Sequence, residues 1–244
     1  MNHKLEVIGF TIDSCIIAES SGANRIELCD NPGEGGTTPS YGFIKAARKK
    51  LNIELYPIIR PRGGDFFYTD DEFEIMKNDV IICKQSGCDG IVIGMLDKDG
   101  NIDQERCSQL VGLAYPLGVT FHRAFDRTND PLKAMEAIIA IGCERILTSG
   151  QKPSVIDGVE LVAQLIEKAA ERIIIMPGSG VRAGNIVEIA LKTKAKEFHT
   201  SARTVIPGKM KFRNEKMNEE LQSVTVDEYE IKNIKKILYG LKVN

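Results

Sequence analysis

The sequence has little of what marks several common protein classes. Its six cysteines, at positions 15, 29, 83, 88, 107 and 143, form no CxxC pair, so neither a structural zinc site nor thioredoxin-type chemistry is announced. They read as reduced thiols packed as small hydrophobes. No uncharged apolar run reaches the roughly 18 residues of a membrane span, and Met1-Asn2-His3-Lys4-Leu5-Glu6 lacks the apolar stretch of a secretory signal. A cytoplasmic location and no membrane partner are expected. Basic residues are not in excess: the formal charge is −2, and the densest basic stretch, Lys192-Thr193-Lys194-Ala195-Lys196, reads as a solvated helix end followed by a loop. Without a Lys/Arg tract to follow a phosphate backbone, nucleic acid is not an expected partner. No Gly/Ser-rich or Pro-rich linker interrupts the chain, so residues 1–244 are expected to form a single domain.

What is present is a repeated unit. A content of 43% hydrophobic and 27% charged residues suits a chain that buries a substantial core. Short β-branched or apolar runs alternate with longer helical patterns, the signature of βαβ units and a parallel sheet. The strand candidates are Lys4 to Gly9, Asn24 to Leu28, Glu54 to Arg60, Gly90 to Ile93, Gly118 to Arg123, Arg145 to Thr148, Ile173 to Met176 and Glu197 to His199. Helix starts are marked by Ser40, by the capping box of Thr69 and Glu72, by Asp130 before Pro131, and by Ser154. A second capping box, Thr225 with Glu228, precedes the stripe Ile231, Ile234 and Leu238. The polar residues 203–224 read as a surface loop excursion before that closing helix. Eight units on a chain of this size predict an α/β fold of the (β/α)8 TIM type rather than an open doubly wound sheet.

In such barrels the chemistry sits on the loops that follow the strands. Alternation along Asn24-Arg25-Ile26-Glu27-Leu28-Cys29 turns Ile26 and Leu28 toward the helices and Arg25, Glu27 and Cys29 toward the axis, and in the first strand Glu6 points in beside Glu27. Two inward carboxylates need compensation, and Arg60 and Arg123 are the expected partners. Arg60-Pro61-Arg62-Gly63-Gly64-Asp65-Phe66 resembles an anion clamp, with guanidiniums beside permissive glycines. Arg60 reads equally as a ligand contact or as the internal partner of Glu27, whereas Arg62 reads as a ligand contact. His122 and His199, two of only three histidines, lie at strand ends on the inward face, with Ser201 next to the latter. They read as general acids or bases in a cleft, or else as hydrogen-bonded core groups. Pro177-Gly178-Ser179-Gly180-Val181-Arg182-Ala183 matches a GxGxxA turn, but a single strand downstream cannot complete a Rossmann half-sheet around it. There Gly178 and Gly180, with Thr148 and Ser149, offer donors to a phosphate, or the turn is simply tight.

Six stretches carry a resemblance: Asn24-Arg25-Ile26-Glu27-Leu28-Cys29, Gly35-Gly36-Thr37-Thr38-Pro39-Ser40, Ile59-Arg60-Pro61-Arg62-Gly63-Gly64-Asp65-Phe66, Thr120-Phe121-His122-Arg123-Ala124-Phe125-Asp126, Arg145-Ile146-Leu147-Thr148-Ser149-Gly150 and Glu197-Phe198-His199. In these the chain resembles the CutC family of copper-homeostasis proteins, from Lys4 to about Arg203. The resemblance implies a TIM-type barrel, a cytoplasmic homo-oligomer and a role in copper handling. Cys29 is then the thiolate candidate for Cu(I), with a histidine or methionine beside it. Ile8 and Thr200 stand where some members carry cysteine, and Ser179 where glycine is usual. Two functions stay open. One is a copper-binding or trafficking protein. The other is an enzyme on a small phosphorylated or carboxylated metabolite, with Glu6, Glu27, His122 and His199 for proton transfer. Arg60, Arg62, Asp65, Arg123, Thr148, Ser149, Gly178, Gly180 and Ser201 would then hold the anion.

Overall fold

A computed structural model describes residues 3–219 and 221–241; residues 1–2, 220 and 242–244 of the expected domain lie outside the described residues. Eight strand and helix units run in order: β1 (Lys4–Gly9), α1 (Ile12–Ser20), β2 (Arg25–Leu28), α2 (Tyr41–Lys50), β3 (Glu54–Pro57), α3 (Asp70–Gln85), β4 (Gly90–Ile93), α4 (Gln104–Ala114), β5 (Gly118–Phe121), α5 (Pro131–Ala140), β6 (Arg145–Thr148), α6 (Val159–Ala169), β7 (Ile174–Pro177), α7 (Ile186–Thr193) and β8 (Glu197–Thr200). An antiparallel pair, β9 (Arg203–Pro207) with β10 (Gln222–Val226), precedes the last helix, α8 (Glu228–Gly240). No described helix is long and apolar enough to cross a membrane.

All pairings among β1 to β8 are parallel, in the two runs β3-β2-β1-β8 and β4-β5-β6-β7. The first seam between them is bridged from Ile58 to Val92, where the Ile59 N–H donates to the Val92 carbonyl at 2.7 Å. At the other seam β7 lies against β8, and the Thr200 hydroxyl donates to the Val181 carbonyl at 2.8 Å. The result is the expected TIM-type barrel. Alternation assigns the two faces: Leu5, Val7, Ile26, Leu28, Ile91, Ile93 and Phe121 fill the outer layer against the helices. Ile8, Cys29, Tyr56, Ile58 and Val92 form a small apolar layer inside the cylinder. Gly90 and Gly118 make room for Tyr56, since a Cβ on either would lie within 2.3 Å of its ring or hydroxyl.

Several helix starts are as read. Ser40 accepts from the Phe43 N–H, Thr69 and Glu72 form the reciprocal box, and Asp130 accepts from the Leu132 and Lys133 amides. Two differ. Helix α6 begins at Val159 behind Gly158, because residues 151–158 turn along the barrel rim and the Val155 N–H donates to the Ser179 carbonyl. Helix α8 is capped by Asp227, which accepts from the Tyr229 and Glu230 amides, because Thr225 is already paired with Thr204 in the hairpin. The span 203–224, read as a loop, is therefore largely a two-stranded ribbon. Its β-branched residues Thr204, Val205, Ile206, Val224 and Thr225 favour extended backbone even on an exposed face.

Candidate functional site at the barrel mouth

The interior is built in levels. At the bottom, Arg25 is 1% exposed and donates to Glu6, to Glu197 at 2.7 Å and to Glu54 at 3.1 Å. Arg145 donates to the same Glu197 oxygen at 2.7 Å, to Glu144 at 2.7 Å and to the Thr120 hydroxyl at 3.1 Å. Buried charges persist when paired in this way. The expected pairing of Arg60 and Arg123 with the inward carboxylates is thus corrected: Arg25, in register beside Glu6 on the next strand, does this work. Burial opposes ionisation of Glu6, but Arg25 and the bond from His199 outweigh it and hold its carboxyl down at about 2.

Above this level β1, β2 and β8 bring Glu6, Glu27 and His199 together, with ligand atoms of all three within 4.8 Å of one another. The ionised Glu6 accepts from His199 Nδ1 at 2.8 Å, which leaves Nε2 facing Glu27 Oε2 at 3.8 Å. Burial works against the imidazolium, yet the bond to Glu6 and the charges of Glu27 and Glu6 hold His199 above its ordinary value. Glu27 has no guanidinium of its own. Burial raises its carboxyl and the Glu6 charge adds to this, while His199 pulls it back, so it titrates at about 7. A carboxyl that titrates at about 7 faces an imidazole held above its ordinary value, a pair able to exchange a proton or to hold a cation.

A cavity of about 990 Å³ opens over this pair and is lined by Glu27, Arg60, His122, His199, Ser201 and Gly180, among others. Arg60 carries its charge without a carboxylate: Nη1 donates to the carbonyls of Glu34 (2.7 Å) and Gly36 (2.8 Å), and Nη2 to that of Gly64 (2.9 Å). Arg123 and Asp65 also line the cavity, but each is engaged, Arg123 with Asp126 at 2.7 Å and Asp65 with Arg62 at 3.0 Å.

Other expected site residues lie elsewhere. Arg62 is not at the cavity; Glu72, Asp65 and the Phe67 carbonyl take up its donors and lock the loop. Thr148 and Ser149 spend their donors on Asp126, at 2.5 and 2.9 Å, so they tie two strand ends together instead of facing the opening. Gly178 packs on Leu147 and His199, and its N–H donates to the Thr148 carbonyl. Past it, the Arg182 and Ala183 amides are taken by Asn185 and Glu230, which leaves Ser179 and Gly180 as the part of the turn on the cavity. Cys29 belongs to the small apolar cluster at the end of β2, where burial and the charges of Glu27 and Glu6 push its thiol well up. Arg127, Arg203 and Lys98 line the cavity without having been singled out, as does Asp97. Their loops carry no distinctive spacing. Inward alternation could have flagged Arg145 and Glu197.

The CutC family pattern matches residues 3–204. The chain is 51% identical over 213 residues to a CutC family protein of Chromobacterium violaceum, covering 87% of this chain and 86% of that one. It is 47% identical over 210 residues to the copper homeostasis protein cutC homolog of Homo sapiens, covering 86% and 77%. The structure of CutC from Streptococcus agalactiae superposes with a TM-score of 0.78 at 35% identity, over 82% of this chain and 98% of that one. Phosphoribosylanthranilate isomerase of Thermotoga maritima, at 12% identity and a TM-score of 0.61, covers 98% of this chain and all of its own and shares the fold alone. By pattern, identity and architecture together, this chain belongs to the CutC family.

Proposed function

We propose that this protein serves copper homeostasis, the role carried in the names of its human and mouse relatives, and that it meets the ion at the barrel mouth. The observation that carries the second part is the Glu6, Glu27 and His199 cluster. Carboxylate and imidazole suit Cu(II), whereas Cu(I) selects soft thiolates. Cys29 fits that second demand poorly, because its thiol is buried in an apolar layer and held protonated. Equilibrium dialysis against Cu(II), with metal analysis and a melting curve for each variant, tests this. Wild type and Cys29→Ala should take up stoichiometric copper, and folded His199→Ala should lose it. Uptake that survives in His199→Ala or vanishes in Cys29→Ala overturns the assignment.

A second reading, a pocket for a small carboxylated or phosphorylated compound with Glu27 and His199 moving a proton, is favoured by the guanidiniums of Arg60, Arg123, Arg127 and Arg203 around one opening. We also propose a cytoplasmic location, supported by six buried cysteines that are all free thiols. Self-association through the β9–β10 ribbon is supported by the exposed Val205, Ile206, Met210, Phe212, Met217 and Leu221 in and around it.

A further inference from the structure

His122 follows β5 on the inward face and lines the cavity with Arg60. Its ring is fixed by its surroundings. Gly94 leaves the space it fills, since a Cβ there would lie 2.3 Å from His122 Cε1, and the Phe66 ring lies 5.0 Å away between centroids. Nδ1 accepts the Ala124 N–H at 3.1 Å, at the first turn of the 3-10 segment Arg123–Arg127. A ring nitrogen that accepts carries no proton, so the proton of the neutral ring is on Nε2.

That Nε2 is buried and has no hydrogen-bond partner among the described residues; the same is true of Arg60 Nε. The two residues are 4% and 5% exposed, which leaves bulk water little access to either donor. They flank one aromatic ring, for Arg60 Cζ lies 5.1 Å from the Phe66 centroid. An unanswered N–H on the cavity wall, beside the guanidinium of Arg60, which neighbours the Tyr68 hydroxyl and has no carboxylate partner among the described residues, calls for an acceptor that carries negative charge.

We propose that His122 is a permanently neutral hydrogen-bond donor, not a proton carrier, and that with Arg60 it receives an oxyanion oxygen, carboxylate or phosphate, of a small ligand. Burial and the Arg60 charge push the imidazole down to about 3, which agrees with a ring that stays neutral. The assignment rests on the anion-pocket reading of the cavity and narrows it, giving recognition to His122 and leaving proton transfer to Glu27 and His199. A fixed neutral donor polarises an oxygen without surrendering its hydrogen.

The test follows the His122 ring nitrogens by ¹⁵N NMR at neutral pH, with and without oxalate or inorganic phosphate, and records melting curves in the same solutions. Wild type should show the Nε2–H tautomer, a displaced Nε2 resonance on adding the anion, and a raised melting temperature. His122→Gln, which keeps an N–H, should retain part of the rise, and His122→Leu should bind the anion about tenfold more weakly or worse. The more effective anion identifies the oxyanion class. An Nδ1–H tautomer or an imidazolium overturns the proposal. A raised melting temperature with Nε2 unmoved also overturns it but keeps the anion pocket, and no rise with either anion removes both.

Discussion

Glu27 and Glu6 sit on adjacent strands, both carboxyls turned into the same cylinder, and their environments drive them apart: Arg25 keeps Glu6 charged, while burial leaves Glu27 at about 7. A carboxyl raised above its ordinary 4.5 holds its proton in the folded state after the unfolded chain has released it. Stability therefore falls as pH rises from the ordinary carboxyl range through about 7, by something on the order of 3 kcal/mol. Metal-free Glu27→Gln, which has no proton to lose, should be more stable than wild type at about pH 8, and the gap should close as pH falls toward 4.5. Urea unfolding at the two ends of this window measures it, and a gap independent of pH would mean an ordinary carboxyl. At this scale the sequence reveals direction but not height. Strict alternation put Glu6, Glu27, His122 and His199 inside, yet it could not show that Arg25 lies level with Glu6 while Arg60 emerges at the mouth among carbonyls. Pairing depends on depth along the axis, which the tilt and register of neighbouring strands decide.

Among the elements, the strands were the most legible, because each is a short β-branched run whose inner and outer residues differ in kind. β1 and β4 match the expected bounds residue for residue, whereas the third and fifth candidates run past β3 and β5. Beyond Pro57 a single bond, from the Ile58 N–H to the Leu28 carbonyl, still holds the chain to β2 while Ile58 bridges β4, and His122 caps a 3-10 turn. Neither departure changes side-chain chemistry, so neither leaves a mark in the sequence. The β9–β10 ribbon was missed because its partner strands are far apart in the chain and its outer residues are mixed in polarity. All of β9 is exposed, and only Val226 at the foot of β10 is buried. Replacing residues 208–221 with an Asn-Gly turn should shift the melting temperature by no more than about 2–4 °C, the equivalent of about 1 kcal/mol. Light scattering should at the same time report a lower mass, and an unchanged mass would remove the ribbon from the self-association proposed above.

For the molecule as a whole, closure matters more than the order in which the units are strung. His3 reaches the Leu238 carbonyl at 3.2 Å, so the start of β1 and the end of α8 are neighbours. A permuted chain that joins residue 241 to residue 3 through a short linker and opens within residues 208–221 should fold to the same barrel, because no core contact is cut. Circular dichroism and a cooperative melt close to that of wild type would verify this; a chain without a melting transition would show that synthesis order is needed.

The ion layer of Arg25, Glu6, Glu197 and Arg145 has a consequence for traffic. It corks the cylinder at its lower end, so the vessel has one door. Whatever ligand the cavity takes must depart by the way it came, so arrival and release share one rim and cannot overlap in time.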